Sequence, residues 1–227
     1  MSRLLLLLLL LISGQQLHAQ SADELKAQLK NTKDSVEIGK IISHQGNDAY
    51  SKGDFVAATS YFFASLRIAE RHGDRATVAA NYNNLSATYT ETENYPEAEA
   101  YAQKAISLYR QLGGHLELAN AYNSLANVYY MQEKDSLSLR YFNLSLAQRK
   151  IIKDSIGLFK GYKNLGALHF EMADTAAGIR YLQEGIRYIT GPSAGALWFS
   201  AYLSLAQIAV RIGDLATARS YFEKAQP

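Results

Sequence analysis

The sequence predicts an all-α fold, an α-solenoid of about five helical hairpins, and three residue series with a forty-residue step predict it. The first is Tyr61, Tyr101, Tyr141, Tyr181 and Tyr221. The second is Tyr82, Tyr122, Tyr162 and Tyr202, and the third Leu85, Leu125, Leu165 and Leu205. A chain built from copies of one unit stacks them side by side and presents an extended binding surface rather than a catalytic pocket.

The first stretch stands apart from the repeats. Arg3 gives a positive start, Leu4 to Ile12 form an apolar run, and Leu17-His18-Ala19 ends on a small residue before Gln20. This is the pattern of a secretory signal peptide over residues 1–19, cut near Ala19. The run is far shorter than the about 20 residues that a membrane-crossing helix needs, and no later segment approaches that length. The expected address is a bacterial periplasm or the medium. Losing Arg3 lowers the formal net charge from +2 to +1. That is too near neutral for nucleic-acid binding, which wants a concentrated basic face. Cysteine is absent, which excludes disulfides, thiolate metal sites, a cysteine nucleophile and a lipid-anchored cysteine.

The elements follow in order. Within residues 20–33, Ser21 and Glu24 form a capping box for a short helix from Ala22 to Asn31. Five units then occupy about 34–73, 74–113, 114–153, 154–193 and 194–227, the first opened by Asp34. In the second unit, Tyr82, Leu85 and Tyr89 fall at i, i+3 and i+7, one face of an amphipathic helix. The break is Glu93-Asn94-Tyr95-Pro96, where proline suits the first turn of a new helix and cannot continue the old one. Ala98, Ala102, Ala105 and Leu108 form the inner face of the second helix, with Tyr101 beside them. Gly73 and Gly113 punctuate the unit ends, and Asp74 and Asp154 cap the helices that follow. In the fourth unit His169 takes the place of Tyr89 and Tyr129, so it is expected to be packed rather than to ligate a metal.

One hairpin cannot stand alone. Ordering forty residues costs on the order of 60 kcal/mol at roughly 1.5 kcal/mol each, more than one hairpin offsets by burial. Stacking supplies the rest, because each tyrosine buries about 150–250 Å². The tyrosine series are therefore expected to be packing ladders.

The hairpin pattern resembles the tetratricopeptide repeat. The first unit shows it as Gly46-Asn47-Asp48-Ala49-Tyr50-Ser51-Lys52-Gly53-Asp54-Phe55 with Ala58, Tyr61, Phe62, Ser65 and Leu66. The last repeats it as Ile212-Gly213-Asp214-Leu215 with Ala218, Tyr221, Phe222 and Ala225. The forty-residue step exceeds the usual thirty-four, and with Tyr82-Asn83-Asn84-Leu85 the unit is similar to the longer repeats of kinesin light chains. Two departures stand out: Gln45 replaces the leucine of its series, and Lys134-Asp135 replaces the Gly-Asp turn. The resemblance implies a right-handed superhelix whose first helices line a concave groove for extended peptides or partner segments. It implies no catalysis and no cofactor.

Functional residues are sought on the first-helix faces. Asn120, Asn123, Asn127 and Tyr130 fall at i, i+3, i+7 and i+10, a stripe opposite the packing residues. Asn83 and Asn84 hold the equivalent face one unit earlier, and Lys160, Lys163 and Asn164 one unit later. Asparagine is a mediocre helix former, so a merely solvated stripe would use Glu, Lys or Gln. An amide both donates and accepts, which suits a peptide backbone. The basic and amide clamp with which some relatives hold a terminal carboxylate is absent: Ser43, Asn120 and Ser124 stand at its basic positions. A looser basic patch of Arg149, Lys150, Lys153, Lys160 and Lys163 is a candidate for an acidic partner.

No catalytic residue and no metal ligand set emerges. His44, His72, His115 and His169 lie in different units without ligand spacing, and no nucleophile elbow or phosphate-binding loop is present. The chain ends at Ala225-Gln226-Pro227, without the polar helix that usually closes such an array. An apolar face of Leu205, Ile208, Ile212, Tyr221 and Phe222 is expected to be open there and available for self-association. The expected function is an exported, non-enzymatic scaffold that binds a peptide or protein segment in its groove. The alternative is the sensory input region of a signal-transduction protein, a sensor kinase or transcription regulator, of which this chain would be a truncated or stand-alone form.

Overall fold

The computed structural model describes residues 35–189 and 194–225. The expected signal peptide, the short helix within 20–33, Asp34 and Gln226-Pro227 lie outside the described residues. Ten helices and no strand occur among the described residues: α1 (Ser35–Ser51), α2 (Phe55–His72), α3 (Arg75–Glu91), α4 (Tyr95–Leu112), α5 (His115–Met131), α6 (Asp135–Ile151), α7 (Ser155–Glu171), α8 (Thr175–Ile186), α9 (Ala194–Arg211) and α10 (Leu215–Ala225). The all-α expectation holds.

Aspartate fixes where many of these helices begin. Asp54, Asp74, Asp154, Asp174 and Asp214 each accept a hydrogen bond at 2.9–3.1 Å from the backbone N–H three residues on. Each such cap stabilises by about 1 kcal/mol relative to alanine. At Asp74 the Thr77 hydroxyl also donates, at 2.7 Å, and this bond above all holds the carboxyl below its usual pKa. Lys134 occupies the corresponding place before α6 and makes no side-chain cap. This is the local cost of the Lys134-Asp135 departure.

The turns keep the repeat in the backbone itself. Gly53, Glu93, Glu133, Ala173 and Gly213, forty residues apart, all take the left-handed conformation, with φ of 77°, 57°, 57°, 62° and 80°. Gly73 and Gly113 do the same between units, at 70° and 76°, as expected of helix terminators. Three of the first five positions are not glycine, so packing of the flanking helices enforces a conformation that costs an L-residue roughly 1–2 kcal/mol.

The described residues form two compact units, one up to Leu108 and one from Tyr109. In the first, α1 packs on α2 and α3, and α2 packs on α3. Ile42, Ala58, Phe62 and Leu85 make its core. In the second, α5 with α6, α7 with α8 and α9 with α10 form hairpins, and α6–α7 and α8–α9 contacts join them. Leu125, Leu165 and Leu205 of the leucine series are buried.

The two tyrosine series prove to be two sides of one rung. Tyr101 lies 5.8 Å from Tyr82 and 5.7 Å from Tyr89, ring centre to ring centre. Tyr141 faces Tyr122 at 6.1 Å and Tyr129 at 5.5 Å. Tyr181 faces Tyr162 at 6.3 Å, and Tyr221 faces Tyr202 at 6.2 Å. His169 stacks on Tyr181 at 4.9 Å, the packed histidine that the sequence predicts. Each aromatic pair adds about 0.5–1.5 kcal/mol beyond its burial.

At one crossing the helices approach too closely for any side chain. A Cβ on Gly178 of α8 would stand 2.9 Å from the Gly166 carbonyl oxygen of α7, and one on Gly166 would stand 3.0 Å from the Gly178 carbonyl.

The apolar face expected to be open near the end of the chain needs correction. Leu205 and Ile208 are only 1% and 6% exposed, because they pack with Leu182 of α8 against Tyr202 and Tyr221. Tyr221 is half-buried, and Ile212 and Phe222 are the members that face solvent.

Candidate functional site

The first helices α1, α3, α5, α7 and α9 carry the residues singled out from sequence. Their polar side chains reach across to the next first helix in the same compact unit. In the first unit the Asn84 amide donates to Asn47 Oδ1 at 3.0 Å. Ser43 donates to Asn81 at 2.9 Å, and Tyr50 donates to Glu91 at 3.2 Å. Asn83 is half-buried, and its Oδ1 is shielded from solvent and accepts no hydrogen bond among the described residues.

In the second unit the Asn164 amide donates to Asn123 Oδ1 at 3.1 Å. The Tyr130 hydroxyl donates to Glu171 at 2.6 Å. Asn127 is half-buried beside them. Lys163 Nζ donates to Ser200 Oγ at 3.1 Å, while Lys160 is exposed. The stripe is thus partly spent on lacing first helices together, with amide donors and acceptors left over. Burial, reinforced by the hydrogen bond to Glu171 and its charge, pushes the Tyr130 phenol up to about 12. Tyr50 reaches about 12 in the same way, from burial and then Glu91.

One of the sequence readings needs correction. Asn120 is exposed, and its Oδ1 accepts from Arg149 Nη2 of α6 at 2.7 Å. Arg149 itself is not a solvated cation. It pairs with the Asp154 carboxylate, and its side chain is 12% exposed. Lys150 Nζ lies 5.8 Å from the centre of the Tyr162 ring. The basic patch is therefore reduced to Lys153, Lys160 and Lys163 as charges not already engaged by these contacts.

The structure brings Lys163 and Asn164 to one place that the sequence did not reveal. They line a pocket of about 210 Å³ between α7 and α9, floored by Leu182 and Ile208 and walled by Phe170, Glu171, Ser204, Gln207 and Arg211. Small-molecule sites run from about 300 to 1,000 Å³, so this volume suits one side chain of a partner better than a cofactor. Among the described residues no group of three or more histidines, aspartates or glutamates could hold a metal. No described helix is long and apolar enough to cross a membrane.

Comparison with known proteins agrees with this architecture. Models of the tetratricopeptide repeat match residues 37–111 and 77–151, and a further one matches residues 199–226. Stress-induced-phosphoprotein 1 of Caenorhabditis elegans is 25% identical over 149 residues, 62% of this chain and 45% of that protein. The chain thus spans less than half of that relative's length. Among solved structures, BtubC (BKLC) from P. vanneervenii superposes with a TM-score of 0.73 at 17% identity, covering 91% of this chain and 86% of that one. A putative kinesin light chain from Podosopora anserina with nearly identical TPR-like repeats gives a TM-score of 0.66 at 11% identity, covering 86% and 95%. At these identities the likeness concerns the fold. The registered turns, the tyrosine rungs and the matched repeat models together lead to one conclusion: this chain belongs to the tetratricopeptide repeat family, whose helical hairpins serve as scaffolds for protein–protein interaction.

Proposed function

We propose that the protein is an exported scaffold that holds an extended peptide segment along the groove of its first helices. The observation that carries this reading is the pocket between α7 and α9, side-chain sized, apolar at its floor and polar at its walls. The amides of Asn127 and Gln207, with the carbonyl oxygen of Asn164, provide both donors and acceptors for a peptide backbone. Each hydrogen bond nets roughly 0.5–1.5 kcal/mol, so four to six of them give a micromolar-class interaction. A site of that strength suits reversible recruitment. Export rests on the pattern of residues 1–19.

The test is selection of displayed peptides on the immobilised chain from Gln20 onward, followed by amide-shift mapping with the enriched sequences. Shifts in α7 and α9 that disappear in Gln207→Trp, which fills the pocket, support the proposal. Failure to enrich any peptide, or shifts confined to the second helices, refutes it. Export is tested separately by fusing residues 1–19 to an alkaline phosphatase that folds only outside the cytoplasm; an inactive fusion sinks that part.

A further inference from the structure

Two contacts between first helices share one register, and a third position in that register reverses their charge. Tyr50 reaches Glu91 and Tyr130 reaches Glu171, each partner forty-one residues on. The next pair in that register is Phe170 and Arg211. The contact persists, with the guanidinium carbon 4.5 Å from the centre of the Phe170 ring, but its chemistry does not. Phenylalanine has no hydroxyl to offer a carboxylate, and arginine stands where those two steps place glutamate; the step between them holds Thr90 and Met131 and carries neither charge.

That cation lies on the wall of the pocket between α7 and α9, together with Lys163. Among the described residues neither has a carboxylate partner. Lys163 is held only by the neutral Ser200 hydroxyl. The pocket's one acid, Glu171, accepts the Tyr130 hydroxyl and keeps its charge, so two positive side chains on the lining stand against one negative one. A positive wall over a floor of Leu182 and Ile208 is complementary to an acidic side chain with an aliphatic stem. The planar guanidinium offers two parallel donors to a carboxylate.

We infer that this pocket selects a glutamate or aspartate side chain of the bound peptide, read by Arg211 and Lys163. The inference rests on the peptide-binding reading above and names what that site prefers.

The experiment uses two fluorescein-labelled random peptide pools of equal length, one with a fixed central glutamate and one with a fixed central glutamine. The wild-type chain is expected to bind the glutamate pool roughly tenfold more tightly, as for a charge-assisted pair, and added salt should narrow the gap. Arg211→Gln with Lys163→Gln should erase the preference, read as the ratio of the two pools within each protein. The double variant Phe170→Tyr with Arg211→Glu rebuilds the tyrosine–glutamate contact of the Tyr50–Glu91 and Tyr130–Glu171 steps and controls for folding. It should melt like wild type and no longer favour glutamate. Equal binding of the two pools by wild type, with both blocked by Gln207→Trp, overturns the inference and leaves the peptide reading intact. A preference that survives Arg211→Gln with Lys163→Gln overturns it as well. Binding of neither pool removes both readings.

Discussion

Gly178→Ala adds a single methyl group, and its effect follows from where that methyl must go. On α8 it would sit 2.9 Å from the Gly166 carbonyl oxygen and 3.4 Å from the backbone nitrogen of Phe170. Both glycines are buried, and the obstructing atoms belong to the α7 backbone, which cannot rotate aside as a side chain would. Helix propensity by itself favours alanine by about 1 kcal/mol. Overpacking costs about 1–3 kcal/mol, and the upper half of that range applies because a whole helix must yield. The net expectation is a loss of about 1–2 kcal/mol. Gly195→Ala makes the same chemical change near the start of α9, where nothing lies within 4 Å of the added carbon. It should be neutral or stabilising by up to about 1 kcal/mol. Urea denaturation followed by far-ultraviolet circular dichroism separates the two signs, and hydrogen exchange should place the Gly178→Ala loss in α7 and α8. A Gly178→Ala protein as stable as wild type would refute the close crossing and the packing argument built on it.

Other expectations follow from the same geometry. Lys134→Asp supplies the cap that α6 lacks and should raise stability by about 1 kcal/mol, seen as a higher urea midpoint. Tyr50, Tyr109 and Tyr130 are held near 12, above their ordinary 10.0. The folded chain therefore keeps protons that the unfolded chain releases, so this stability is complete below pH 10 and fades as pH rises towards 12. The loss should fall short of the full linkage value because Tyr50 and Tyr130 are largely solvent-screened, and Tyr130→Phe should blunt it in alkaline melts. Asn123→Ala with Asn127→Ala should weaken peptide binding. Its stability cost should stay near 1 kcal/mol, because the single Asn123–Asn164 bond is what is lost. A collapse of the melting temperature would make these amides structural alone.

The fold was legible because its determinants are local and repeated. A tyrosine every forty residues, a glycine at the first two unit ends and an aspartate before five of the helices each specify one step, and copies reinforce one another. The left-handed Glu93, Glu133 and Ala173 were less visible, since packing rather than residue type imposes their conformation. The site was legible only in part. A helical wheel places Asn84, Asn123 and Asn164 opposite the packing face, but it cannot show that the neighbouring first helix lies alongside to receive them. Arg149 reads as a surface charge until its meeting with Asp154 is seen. Leu205 and Ile208 read as uncovered until Leu182 of α8 and Tyr221 of α10 are seen packed with them. Arg211 could have been found by following the Tyr50–Glu91 and Tyr130–Glu171 spacing one step further.

The chain holds sixteen tyrosines and one tryptophan, and that tryptophan is stacked at 5.4 Å on Tyr202, within α9. Trp198 is therefore a built-in optical gauge. Excited tyrosines of the last hairpins can pass their energy to it, and its emission reports on the hairpin beside the α7–α9 pocket rather than on the array as a whole. Emission that shifts before the ellipticity falls would show this terminal hairpin unzipping ahead of the rest, without any label added to the protein.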